Sequence, residues 1–109
     1  VSPKIAVIQA AVGARWRVSV ADLQSRRQSR AVVCPRHVAM WLARHLTPAS
    51  LPEIGRAFGD RDHTTVMHAL ARIDQRMAES PLFEGVVLDL AEQLSPIAGA
   101  EQRAIRRAA

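Results

Sequence analysis

The sequence has one cysteine, no tyrosine and four aromatic residues in 109. A single thiol, Cys34, excludes an internal disulfide and a cysteine-built zinc site, so a disulfide-stapled secreted domain is disfavoured and a reducing cytoplasm expected. Four aromatics without tyrosine disfavour a single-strand binder that stacks successive bases. No apolar run reaches the roughly 18 residues needed to cross a bilayer. No charged segment followed by an apolar one marks a secretory leader. Glycine and proline total 11 residues and β-branched runs are short, so period-3.6 patterns dominate and the fold class is read as all-α. The length suits one domain, and an apolar share of 49% allows a modest core without covalent staples. The first residue is Val1 rather than methionine, so a trimmed chain or a fragment is expected.

Acidic residues are scarce where basic ones collect. Residues 15–45 hold Arg15, Arg17, Arg26, Arg27, Arg30, Arg36 and Arg44 against Asp22 alone, a net of +6, whereas residues 46–109 carry a net of −2. Fourteen of the fifteen cations are arginine, the residue better suited to bidentate phosphate and base contacts. A basic patch in one half points to a polyanionic partner.

Hydrophobic spacing divides the chain into about six helices. Ile5, Ile8 and Val12 stripe a first helix over 3–14, and Ser19 can cap a short one over 21–25. Residues 26–31 read as a basic loop. Pro35 suits the first turn of a helix running to Leu46, with Val38, Ala39, Leu42 and Leu46 inward and Arg36, His37, Met40 and Arg44 on the opposite face. His45 is expected to complement the dipole at the end of that helix, and Cys34 to pack between loop and helix. Ser50-Leu51-Pro52-Glu53 has the form of a capping box and opens a short helix ending near Phe58, with Gly59 as its terminal cap. Asp62 can cap a longer helix to Glu79 whose inward stripe is Val66, Ala69, Leu70, Ile73 and Met77. Ser80-Pro81 starts an amphipathic helix with Phe83, Val86, Val87, Leu90 and Leu94. Residues 96–109 read as a flexible tail, leaving a domain over 1–95.

The stretch from Ser50 to Leu70 carries the most information. A short capped helix, a turn of about four residues containing glycine and a longer helix make a helix-turn-helix pattern. In such motifs the second helix places its N-terminal residues on base edges in the major groove. Here that terminus reads Arg61-Asp62-His63-Thr64-Thr65, short polar groups that can donate, accept and touch a thymine methyl. Thr64, His68 and Gln75 lie opposite the apolar stripe, with Thr65 and Arg72 on its shoulder. Asp62 can cap its helix, accept from a base amino group, or orient Arg61 or His63; the reading combines the cap with a cytosine or adenine amino contact. His63 and His68 are five residues apart, which separates them by about 140° on a helix and does not suit two zinc ligands. No Ser-His-Asp or Cys-His arrangement can be defended from spacing, so neither an enzyme, a metal nor a cofactor is expected.

Leu51-Pro52-Glu53-Ile54-Gly55 followed by Phe58-Gly59-Asp60-Arg61-Asp62-His63-Thr64-Thr65-Val66 resembles the C-terminal, box-binding domain family of the bacterial chromosomal replication initiator DnaA. Val20-Ala21-Asp22-Leu23, the basic loop, Pro35-Arg36 and Ala39-Met40 share its spacing, and the similarity extends over about residues 3–94. The chain has no G-x-x-x-x-G-K-[ST] loop, so no nucleotide site is expected. The resemblance implies that Asp62, His63, Thr64 and Thr65 read base edges, that Leu51 and Pro52 approach the backbone and a base, and that Arg30, Arg36 and Arg44 contact phosphates. Arg26, Arg27 and His37 join the expected interface with Gln28, which stands where the family usually carries an arginine in the minor groove. Cys34 stands where a basic residue is frequent, His37 where glutamine is usual, and Met67 where leucine is common.

The expected function is therefore sequence-specific binding of double-stranded DNA at initiator-box-like sites by a monomer in the bacterial cytoplasm and nucleoid, away from any membrane. Its consequence would be regulation of replication initiation or transcription, with Gln28 and Cys34 favouring a free-standing paralogue. The competing expectation is a protein-interaction regulator that binds the replication initiator or another replication protein, through the acidic face of Glu84, Asp89 and Glu92.

Overall fold

Short polar side chains decide where this chain enters a helix. Ser19 Oγ accepts from the amide of Asp22 at 3.0 Å, Ser50 Oγ from that of Glu53 at 3.3 Å, and Ser80 Oγ from that of Phe83 at 3.2 Å. Each satisfies an amide that the first helical turn leaves without a partner. The computed structural model describes residues 2–108. These form α1 (Ile5–Trp16), α2 (Val20–Leu23), α3 (Arg30–Leu46), α4 (Leu51–Ala57), α5 (His63–Glu79), α6 (Pro81–Leu94) and α7 (Pro96–Ala108), with no strand among the described residues. Among the described residues no helix is long and apolar enough to cross a membrane.

The centre of the molecule is α3, against which the other six helices all pack. Residues Val38 to Ala43 are consecutively inaccessible to solvent, so this helix has no solvated face along its middle. The expectation that His37 and Met40 face outward with Arg44 therefore fails: Met40 and Arg36 are buried, His37 is half-buried and only Arg44 is exposed. The helix also starts a turn earlier than its proline suggests. Pro35 lies inside α3, where it removes a single amide donor close to the N-terminus; the carbonyl it leaves unbonded belongs to Ala31, an exposed residue, so water can replace the bond.

Trp41 fills the core and donates its indole N–H to Asp74 Oδ1 at 2.9 Å. The His45 ring lies 4.1 Å from the Trp41 ring, half-buried, and burial lowers its pKa.

The residues expected as a flexible tail form α7. Gly99 allows a close crossing, because a Cβ there would lie 2.5 Å from the Glu92 amide nitrogen. Arg103 pairs with Asp89 at 2.9 Å and with Glu92, and Arg106 pairs with Glu84 at 2.7 Å and Asp74 at 3.6 Å. The acidic face of α6 that would have served a protein partner is occupied by this helix. The radius of gyration is 12.7 Å, near the ~13 Å usual for a folded chain of this length.

Candidate nucleic-acid interface

The α4–turn–α5 unit is built from three local devices. Ser50 and Glu53 form a reciprocal capping box: Ser50 Oγ accepts the Glu53 amide while Glu53 Oε1 accepts the Ser50 amide at 3.1 Å. The hydroxyl and amide of Ser50 hold the Glu53 carboxyl below its ordinary pKa. Gly59 then adopts φ +84° and Asp60 φ +55°, the left-handed conformation that reverses the chain. Finally Asp62 Oδ1 accepts from the amides of Thr64 at 2.5 Å and Thr65 at 3.4 Å, which starts α5 and lowers the aspartate pKa, the Thr64 amide being the larger cause.

The two helices meet closely because Gly55 has no side chain. A Cβ there would overlap the carbonyl oxygen of Arg61, and the Arg61 amide donates to the Gly55 carbonyl at 2.8 Å. Val66, Ala69, Ile73 and Met77 seal α5 against the core. Its other side leaves Asp62, His63, Thr64, Thr65, Met67, His68, Arg72, Gln75 and Arg76 exposed.

The basic loop lies beside the start of α5. Arg26, Arg27, Gln28 and Arg30 are all exposed, and Arg27 is paired at 3.3 Å with Asp22. Beneath them the backbone is held from inside the domain. Arg36 Nε donates to the Leu23 carbonyl at 2.9 Å, Nη1 to Arg27 at 2.9 Å, and Nη2 to Asp22 at 3.0 Å and Ser25 at 3.1 Å. Arg61 Nη2 donates to the same Ser25 carbonyl at 2.8 Å, and its Nη1 to that of Phe58. Burial, and then the adjacent Arg61 guanidinium, pulls Arg36 down to about 10, so it stays protonated at neutral pH.

This corrects the reading of Arg36 as a phosphate contact. Only 2% of the residue is accessible and its donors are engaged with four carbonyl groups, so it anchors the loop from below.

A concave surface joins loop and helix. A cleft of about 880 Å³ runs between the start of α3 and α5, bordered by Gln28, Arg30, Cys34, His37, Arg72 and Arg76. A second concavity carries His37, Arg72 and Gln75 on to Thr65 and His68. The His37 ring at their junction is neutral at physiological pH: burial first, then Arg36, Arg72 and Arg61, depresses it to about 4. Cys34 is half-buried, its thiol accepts from Arg76 Nη1, and burial raises its pKa. Among the described residues, no group of three or more His, Cys, Asp and Glu is placed to hold a metal ion.

Leu51, Pro52 and Arg44 form a separate group. Leu51 is half-buried and Pro52 exposed at the start of α4, and Arg44 Nη1 donates to the Ala49 carbonyl at 3.4 Å just ahead of them. Arg30 and Arg44 stand fourteen residues apart on α3, or about 21 Å.

The sequence gives Arg61 and Arg72 no contact of their own beyond a place at the start and on the shoulder of α5, and Arg76 no place at all. A 3.6-residue projection of α5 places Arg72 and Arg76 on one flank, which was a usable signal; nothing local shows that Arg61 reaches back to Ser25.

A short capped helix, a left-handed turn and a second helix with an exposed polar first turn define a helix-turn-helix domain. Residues 5–73 match the family described as the bacterial dnaA protein helix-turn-helix. The chain belongs to that family, the C-terminal helix-turn-helix domain of DnaA. It is 53% identical over 76 residues to the chromosomal replication initiator protein DnaA of Gluconobacter oxydans, covering 70% of this chain and 16% of the relative. It is 55% identical over 76 residues to that of Bartonella quintana, covering 70% and 15%, and 46% identical over 86 residues to that of Latilactobacillus sakei, covering 79% and 19%. The chain thus spans between about a seventh and a fifth of the length of these relatives. A crystal structure of a DNA replication initiation factor superposes with a TM-score of 0.75 at 33% identity, over 83% of this chain and 27% of that one.

Proposed function

We propose that this domain binds double-stranded DNA at initiator boxes and reads them with the first turn of α5. The observation that carries the reading is the juxtaposition of two exposed surfaces: the polar turn Asp62-His63-Thr64-Thr65 and the loop Arg26-Arg27-Gln28, whose backbone is tied to that turn through Arg61. His63, Thr64 and Thr65 enter the major groove, where hydroxyl and imidazole groups meet base edges and thymine methyls. The oxygen of Asp62 not used in the cap accepts from a base amino group. The loop takes the flanking minor groove, with Gln28 supplying an amide in place of a charge. Arg30 and Arg44, about 21 Å apart on α3, reach phosphates on opposite sides of a groove about 12 Å wide. Leu51 and Pro52 support the backbone beside Arg44.

The domain's contribution is recognition rather than catalysis, by a monomer on an asymmetric box in the bacterial cytoplasm. Carried within an initiator, it would address that protein to its boxes; carried alone, it would occupy the same boxes and compete. A partner-binding role for the acids of α6 has little support, since Arg103 and Arg106 pair with all three.

Fluorescence anisotropy with a duplex carrying an initiator box and a scrambled duplex of equal composition tests this reading. The box is bound more tightly, and His63→Ala/Thr64→Ala erases the difference. With Arg26, Arg27, Arg30 and Arg44 as phosphate contacts, the logarithm of affinity falls with that of salt with a slope of about −3.6. Equal affinity of the wild-type domain for both duplexes refutes the reading.

A further inference from the structure

We infer that Arg61 is a positioning residue for sequence readout: through the Ser25 carbonyl it fixes the basic loop in register with the recognition helix. The inference rests on the proposed DNA reading and explains how two separate surface elements act as one reader.

The Ser25 oxygen accepts two guanidinium groups, Arg61 at 2.8 Å and Arg36 at 3.1 Å. Arg36 comes from the buried side of α3 and alone would fix the loop to the body of the domain. Arg61 comes from the turn directly ahead of the Asp62 cap. Its second arm holds the Phe58 carbonyl at the end of α4, so a single planar group spans loop and helix-turn-helix. A parallel brace lies deeper: Gln24 Nε2 donates to Gln9 Oε1 at 3.3 Å, and Gln9 Nε2 to the Ala57 carbonyl at 2.9 Å. Gly59 completes the contact, since a Cβ there would overlap the Gln24 carbonyl. The loop is therefore keyed to the turn of the reading motif, while the side chains of residues 26–28 remain exposed.

A guanidinium is needed because its fixed fork bonds two acceptors at once, which an ammonium on a flexible stem does less well. Base readout across two grooves tolerates little play between the elements that enter them, whereas attraction of cations to phosphates does not depend on register. Loss of the clamp should accordingly reduce discrimination more than attraction.

The test is Arg61→Lys, which keeps the charge, beside Arg61→Gln, which keeps a donor without it. Affinity for box and scrambled duplexes is measured together with hydrogen exchange of the amides over residues 25–29 in the free protein. Both variants are expected to lower box preference about tenfold, the scale of one charge-assisted hydrogen bond. Affinity for the scrambled duplex should stay within about twofold for Arg61→Lys, thermal unfolding should remain cooperative, and loop exchange should accelerate. Retained preference in both variants overturns the inference. So does an equal loss on both duplexes with unchanged loop exchange, which would make Arg61 an ordinary phosphate contact. If the wild-type domain shows no box preference but Arg61→Lys still loosens the loop, the clamp stands and the box reading falls. If the wild-type domain shows no box preference and neither variant changes loop exchange, both fall.

Discussion

Two glycine-to-alanine changes should move stability in opposite directions, and the difference measures the α4–α5 contact. Gly85 sits within α6 with nothing inside 4 Å of where its Cβ would be. Alanine there gains helix propensity, about 0.8–1 kcal/mol, by restricting the unfolded chain without meeting a neighbour. Gly55 offers the same gain, but its Cβ would overlap the backbone carbonyl of Arg61. Overpacking of that kind costs about 1–3 kcal/mol. It also strains the Arg61 amide bond to the Gly55 carbonyl, worth about 1 kcal/mol. Net destabilisation of about 1–3 kcal/mol follows. A chain of this length has an unfolding entropy near 0.23 kcal/mol per kelvin, so calorimetry should show Gly85→Ala raising Tm by about 4 °C and Gly55→Ala lowering it by about 4–13 °C. Gly55→Ala should also weaken box binding, because the displaced carbonyl lies next to the Asp62 cap. If Gly55→Ala stabilises as Gly85→Ala does, the helices do not approach as closely as described and the reasoning fails.

Other outcomes follow from individual contacts. Ser50→Ala removes half of a capping box and should cost about 1 kcal/mol in urea melts, with Glu53→Ala adding little further because the two act as a unit. His37 is depressed from 6.5 to about 4, so between those values the unfolded chain binds the proton that the folded one refuses, and stability falls as pH drops from 6.5 toward 4. That amounts to about 2 kcal/mol at pH 5, or about 1 after allowing for the ring's partial solvent access; urea melts at pH 7 and pH 5 should show it, and His37→Gln should flatten the difference. Gly99→Val would drive a side chain into the Glu92 backbone and part α7 from α6, seen as faster exchange along α7 and a lower Tm; an unchanged Tm would mean that α7 is not seated there.

The sequence discloses what is local and hides what is reciprocal. Ser50, Asp62 and Ser80 announce their helices because a cap needs only its own next three residues, and the polar first turn of α5 follows from the same signals. The phosphate role of Arg36 is what the family resemblance implies, and only the tertiary fold brings four carbonyl groups to its guanidinium. The sequence places Arg61 at the start of the recognition helix but does not show its bond to Ser25, whose carbonyl lies 36 residues away. Pro35 suggested a helix start because the usual rule places proline in the first turn, yet one lost amide near a solvated end is tolerable. For α7, an alanine- and arginine-rich composition resembles a tail until Arg103 and Arg106 are seen against the acids of α6. Helix α3 had no legible outer face, since encirclement by six helices is a property of the whole chain.

The central claim, that α5 enters the major groove while the loop takes the adjoining minor groove, is tested most directly by dimethyl sulfate protection on an initiator-box duplex. The reagent methylates guanine N7 in the major groove and adenine N3 in the minor groove, so each groove reports separately. The wild-type domain should protect guanine N7 within the box and adenine N3 beside it, with His63→Ala/Thr64→Ala losing the first. Adenine N3 protection alone, or none in either groove at saturating protein, would contradict the claim.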